Sequence, residues 1–280
     1  MTVSATLMVH LVAGAPNEAL LTFAADMASR MKVTRVIGIS AWQPVVIYGS
    51  PDAYVPPQLL DFDRNQIDKE LAAAEDSFRS ALGGKVSAVE WRSSVVSHGS
   101  IVDFAAQEMR AADLLIVSAA EAGAVFDRSR NVDIADLVLR IGRPVLVVGA
   151  VADRLDLRSA VVAWKDTREA RRAVQDALPF LTRADRVTVV ELASHEGLEA
   201  ARARTEDVAR WLTGHGSVAT SRVDRSEGDD AAQLAAIARR LGAGLIVGGA
   251  YGHARLREWV LGGVTRDLLL RPAQCSLVSH

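Results

Sequence analysis

The 280-residue sequence predicts an α/β protein of two tandem copies, each a five-stranded parallel sheet covered by helices on both faces. Three observations predict it. Short apolar runs alternate strictly with amphipathic helical stretches, the pattern of strands that feed crossover helices. The chain also repeats itself: Asn17-Glu-Ala-Leu-Leu aligns with Arg168-Glu-Ala-Arg-Arg at an offset of 151 residues, and Leu115-Ile-Val with Leu245-Ile-Val at 130. Finally, a glycine stretch, Gly249 to Thr265, leaves one apolar run and enters a helical pattern.

Strands of the first copy are expected near Thr6–Leu11, Val33–Ile39, Val86–Arg92, Asp113–Ser118 and Pro144–Val148. In the second copy Ala160–Trp164 reads as the first strand, and the helix after it sets Ala170, Ala173, Val174, Ala177, Leu178 and Leu181 on one face. Asp166 with Glu169 has the spacing of a capping box, with Thr167 as the alternative cap. A strand at Arg186–Leu192, a helix around Leu198–Leu212, a strand near Val218–Val223 and a helix over Asp229–Leu241 follow. Gly244–Gly249 and Gln274–Val278 complete the second five. The domains are therefore 1–150 and 155–280.

The falling offset means that the first copy carries about twenty extra residues after its second strand. Trp42-Gln-Pro-Val-Val-Ile-Tyr-Gly-Ser-Pro-Asp-Ala-Tyr-Val-Pro-Pro, whose prolines and glycine interrupt regular structure, is where they are expected. Such a segment is a surface excursion on one reading and a lid or contact loop on the other.

Composition narrows the function. Lys plus Arg number 32 against 34 Asp plus Glu, a net charge of -2, which argues against a surface that neutralises nucleic-acid phosphates. No apolar run reaches membrane-spanning length and the first residues lack the pattern of a signal peptide, so a cytoplasmic protein without a membrane partner is expected. The single cysteine, Cys275, sits in an apolar strand and reads as a buried structural thiol. Six histidines show no paired helical spacing for a metal, and neither Gly-x-Ser-x-Gly nor a P-loop lysine motif occurs.

Ligands on parallel sheets bind beyond the carboxyl ends of the strands, where the strand order reverses. The glycine stretch leaves the second copy's fourth strand there. Gly249 and Gly252 permit a tight turn, and Gly262, Gly263 and the amides near Val264 offer donors to phosphate at the next helix, with Thr265 adding a hydroxyl. His253 lies beside Gly252, and Arg255, Arg257 and Arg266 supply positive charge, while Trp259 reads as a packing anchor. In the first copy Ala119 and Ala122 fall opposite Gly249 and Gly252, and Asn131, Val132 and Asp133 opposite the later glycines. Acidic Glu121, Asp127 and Asp133 repel phosphate there unless a cation intervenes.

The spacing Gly249-x2-Gly252-x9-Gly262 followed by Val264-Thr265 resembles the nucleotide-binding signature of the universal stress protein family. Ala163-Trp-Lys-Asp-Thr-Arg-Glu-Ala-Arg-Arg-Ala173 resembles that family's first strand-to-helix turn, and Gly142-Arg-Pro-Val-Leu-Val-Val148 its last strand. The resemblance spans nearly the whole chain as two tandem domains. It implies a Rossmann-like, adenine nucleotide alpha hydrolase-like sheet of order 3-2-1-4-5, ATP with magnesium at the glycine loop, and dimers that a tandem chain mimics internally. Two positions depart from the family pattern. Gly263 stands where Ser or Thr usually follows the third glycine, and the usual acid after the first strand falls on Lys165 or, shifted by one, on Asp166. The site residues implied are Asp166, Gly249, Gly252, His253, Gly262, Gly263, Val264 and Thr265, with no catalytic residue among them. Three functions follow: a stress-response regulator that binds an adenine nucleotide and signals to a protein partner, a slow ATPase, and a nucleotide-free interaction scaffold. Whether tandem chains pair again into a homodimer stays open.

Overall fold

A computed structural model describes residues 5–44, 57–119, 129–149, 152–250 and 274–280. The chain divides into two compact units, Met1–Ile141 and Gly142–His280.

In the first unit β1 (Thr6–His10), β2 (Arg35–Trp42), β3 (Ala88–Val95) and β4 (Leu114–Ser118) pair in parallel in the order β3-β2-β1-β4. The inner strands β1, β2 and β4 form because they are apolar on both faces, with Leu7, Met8, Val9, Val36, Ile37, Ile39, Leu115 and Ile116 all buried, while the outer strand β3 is only partly buried. Helices α1 (Glu18–Arg30) and α2 (Pro57–Leu82) pack on each other, as do α3 (Ile101–Glu108) and α4 (Ile134–Arg140). Ser100 caps α3 in a reciprocal box with Asp103. Gly38 lets the sheet meet a side-chain pair, because a Cβ there would lie 2.6 Å from the Trp91 ring and 2.9 Å from that of Phe78. Those two rings stand 5.6 Å apart.

The extra length of the first copy is not confined to the segment expected to hold it. Residues 45–56 lie outside the described residues, but α2 starts at Pro57 and runs 26 residues against 17 in its counterpart α6 (Leu198–Gly214). Proline suits a first helical position, where its missing N–H leaves no bond unmade, so Pro57 starts the helix rather than breaking it.

The second unit contains β5 (Val145–Val148), β6 (Ala160–Ala163), β7 (Val187–Ala193), β8 (Ala219–Arg225), β9 (Leu245–Gly249) and β10 (Cys275–Ser279). Five of them run parallel in the order β8-β7-β6-β9-β10, which is the 3-2-1-4-5 order. β5, the last strand of the first copy in sequence, falls in this unit and pairs antiparallel with β10. That pairing leaves no open edge on β10. The outer strand β8 is partly exposed and carries the Arg222–Asp224 ion pair, charge of the kind that discourages edge-to-edge association.

Helices α5 (Arg168–Leu181), α6 and α7 (Asp230–Arg240) fill the crossovers. On one face Leu234, Ile237 and Ala238 of α7 close a core with Val161, Val190 and Ile246. On α5 the expected face is buried except for Leu178, which is half-buried, while Phe180 is buried instead. Thr167, not an Asp166–Glu169 box, caps α5: its hydroxyl accepts from the Ala170 amide at 3.3 Å. Cys275 is buried, and burial pushes its thiol up to about 11, so it stays protonated. No described helix is long and apolar enough to cross a membrane.

Candidate functional site

The strand order of the second unit reverses between β6 and β9, whose carboxyl ends lie side by side with Ala163 paired to Gly248. Beyond β6 the chain stays on the ladder for one residue, since the Trp164 amide donates to the Val190 carbonyl at 2.8 Å. It then turns sharply, the Thr167 amide donating to the Lys165 carbonyl at 2.7 Å, and enters α5. The first turn of a 14-residue helix therefore stands at the switch point, its positive end beside the strand termini.

Gly249 ends β9 at this place, paired to Ser279 of β10. A Cβ on it would lie 2.5 Å from the Ala170 nitrogen and 2.6 Å from the Glu169 carbonyl carbon. Its glycine is thus demanded by the backbone of α5, which fits against β9 only where no side chain intervenes. Beyond it the Ala250 amide donates to the Ser279 carbonyl at 2.8 Å, and His280 Nδ1 donates to the Ala250 carbonyl at 3.0 Å. Gly252, His253, Gly262, Gly263, Val264 and Thr265 lie outside the described residues, as do Arg255, Arg257, Trp259 and Arg266.

Both candidates for the acidic position lie in the turn before α5, and both are exposed. The Asp166 carboxylate pairs with Arg171. Three further features carry no motif and were missed in the sequence. Trp164 is 8% exposed, and its indole N–H has no acceptor among the described residues. Glu191 on β7 is buried and takes two hydrogen bonds from the Arg204 guanidinium of α6, at 2.5 and 3.2 Å. Glu169 is buried and paired with Arg168. Burial pushes the Glu169 carboxyl up, but hydrogen bonds from Arg168, its own backbone and Thr167 outweigh burial and hold it below the usual value. A half-open depression of about 300 Å³ lies alongside, lined by Arg168, Glu169, Arg172 and His280. The available signal for Glu191 was its position: a charged residue one place from the end of an apolar run at the switch point is seldom buried unpaired.

The first unit finishes the same place differently. Ala119, opposite Gly249, follows β4 and is 9% exposed, so a Cβ is tolerated there. Asp133 caps α4, accepting from the Ala135 and Asp136 amides at 3.0 and 3.2 Å. A carboxylate of the chain itself thereby takes the amides that an anion would need. Glu121, Ala122 and Asp127 lie outside the described residues. Among the described residues no group of three or more His, Cys, Asp or Glu is placed to hold a metal ion.

No family model matches the chain, and no curated protein matches it in sequence. Solved structures do match it in fold. A universal stress protein from Archaeoglobus fulgidus DSM 4304 superposes with a TM-score of 0.72 at 12% identity, over 99% of this chain and 97% of that one. A putative universal stress protein from Pseudomonas aeruginosa UCBPP-PA14 gives 0.62 at 14% identity, over 99% and 94%. A functionally unknown protein from Pseudomonas aeruginosa PAO1 gives 0.59 at 13%, over 99% and 93%. At such identities the likeness speaks for architecture, and the chain has, over its whole length, the α/β fold of solved universal stress proteins.

Proposed function

We propose that the protein is a universal stress protein that binds ATP, or a related adenine nucleotide, at the strand-end crevice of its second unit and acts as a regulator in the cytoplasm. The observation that carries this reading is the position of Gly249. It ends β9 at the switch point, against the first turn of α5, so the glycine-spaced segment that follows starts where α/β sheets take their ligands. In this reading the amides of Gly252, Gly262, Gly263 and Val264 receive the phosphates, with the Thr265 hydroxyl and His253 beside them. Asp166, exposed in the turn, takes ribose hydroxyls or a magnesium-bound phosphate. The buried indole N–H of Trp164, which lacks an acceptor among the described residues, fits a polar ligand at this end of the sheet. ATP supplies binding energy and charge, and the reading needs no bond to break. The first unit is then a structural companion, and ligand occupancy of the second biases a surface that a partner protein or a second chain reads.

Gentle purification followed by mass spectrometry of released small molecules tests this. Stoichiometric adenine nucleotide supports it; an empty protein whose melting temperature ignores added ATP and magnesium overturns it. Gly252→Glu then abolishes binding with the fold intact, because a carboxylate repels the phosphates. One observation favours the nucleotide-free scaffold instead. The glycine at 249 is fully accounted for by the backbone of α5, without any ligand.

A further inference from the structure

We propose that the strand-end crevice of the first unit is a site for a planar cation, filled in the folded chain by its own Arg130. Three walls define the site. The guanidinium carbon of Arg130 lies 4.4 Å from the centroid of the Trp42 ring, which ends β2. Arg130 Nη1 stands 3.3 Å from Glu70 Oε2 on α2 and 3.4 Å from the Ala13 carbonyl oxygen, in the turn between β1 and α1. An aromatic face, a carboxylate and a carbonyl all attract a flat group that carries positive charge and N–H donors. None of them is a donor, and the carboxylate repels phosphate.

Neighbouring residues hold these walls in position. Trp42 packs with Ala13, Ile67 and Leu71, an apolar floor under the ion pair. Gln66 donates to the other Glu70 oxygen at 2.8 Å. The backbone beside Arg130 is tied down as well, because the Gln43 amide donates to the Ser129 carbonyl at 2.6 Å. Gly14 is favoured by its φ of +72°, in the left-handed region, and a Cβ there would sit 2.0 Å from Glu70 Oε2 and 2.7 Å from Arg130 Nη1, so the tips of both side chains would have to move. Glu70 is 19% exposed and Arg130 31%, so both are largely withdrawn from water. The cation that partners the Glu70 carboxylate is therefore part of the chain, and these walls have the opposite polarity to a phosphate cradle.

Arg130→Ala in the full-length chain, melted with and without millimolar methylguanidinium, tests the site. The variant is expected to melt about 3 to 6 °C below the parent, from the lost stacking and ion pair. Methylguanidinium recovers at least half of that loss, and gives no gain to the parent or to Arg30→Ala, which removes a guanidinium from an exposed helical ion pair. The proposal is overturned if Arg130→Ala melts with the parent, or if methylguanidinium raises it no more than the controls. Recovery by ATP in place of methylguanidinium also overturns it. Should Arg130→Ala not fold, Arg130→Lys keeps the charge and loses the flat fork. It is expected to melt below the parent and to gain from methylguanidinium, and melting like the parent counts against the proposal.

Discussion

The two units have the same interior but differ at their strand ends. Both keep the strand order 3-2-1-4, with apolar strands at matching ladder positions. At the carboxyl ends, the sequence offset of 130 sets Ala119 against Gly249, and the offset of 151 carried across the ladders sets Ser40 against Glu191 and His10 against Ala163. One unit closes this region with its own side chains: Arg130 lies on Trp42 and Asp133 caps α4. The other leaves a helix start and a glycine strand end there. The apolar ladder therefore sets the fold, while the residues at and just beyond the carboxyl end of each strand set what the crevice holds. Substitutions at the paired positions test that division.

The largest expected effect separates His10 from Ala163. His10 is 3% exposed, its Nε2 has no partner among the described residues, and burial pushes its pKa down to about 4. The unfolded chain protonates this imidazole below about 6.5 whereas the folded chain keeps it neutral, so its contribution is complete above pH 6.5 and is lost as the pH falls toward 4. The total is about 3 kcal/mol. Glu90 titrates in a separate window: hydrogen bonds from Arg35 and Arg92 hold its carboxyl at about 2, so its contribution declines only below about 4.5. Urea denaturation of the parent and His10→Leu between pH 7.5 and 5 isolates the histidine. The parent is expected to lose stability over that range and the variant to lose much less. Parallel profiles would refute the assignment.

Glu191 and Ser40 come next. Glu191→Ala strands the Arg204 guanidinium, which is about one third exposed and reaches some water. The loss is expected to be about 2 to 3 kcal/mol, below that of a fully buried pair. Ser40 is fully buried with a hydroxyl that has no partner among the described residues, so Ser40→Ala is expected to be neutral or to stabilise by up to about 1 kcal/mol. Chemical denaturation of the two variants checks the contrast, and equal losses at both sites would remove it.

Much of this organisation was legible in the sequence, for physical reasons. The offsets found the repeat because buried parallel strands must be apolar, and Thr167 was recognisable as a cap because a helix start has unpaired amides. The site was less legible. Arg130 and Trp42 meet across 88 positions, and no periodicity relates residues that far apart. Pro57 read as a breaker because proline serves both loops and first helical turns. Phe180 replaced Leu178 on the buried face because both lie near the edge of the apolar stripe, where packing decides. The glycine of Gly249 was legible, but its cause was not, since closeness to the α5 backbone exists only in three dimensions.

A smaller effect than those of His10 and Glu191 bears on that cause. Gly249→Ala puts a methyl group within 3 Å of backbone atoms of Glu169 and Ala170, and backbone cannot rotate away as a flexible side chain can. A loss of about 1 to 2 kcal/mol is expected, within the range for overpacking, as α5 shifts off β9. The mirror change, Ala119→Gly, removes a methyl that is already accommodated and is expected to cost less than about 1 kcal/mol. If ATP binds, the comparison sharpens further. A shift of α5 disturbs the turn holding Lys165 and Asp166, so Gly249→Ala is expected to weaken binding in proportion to its lost stability, whereas Gly252→Glu abolishes binding at little cost in stability. Thermal melting with and without ATP separates the two. A Gly249→Ala variant that melts like the parent yet loses ATP would instead make Gly249 a ligand contact and remove packing as the reason for its glycine.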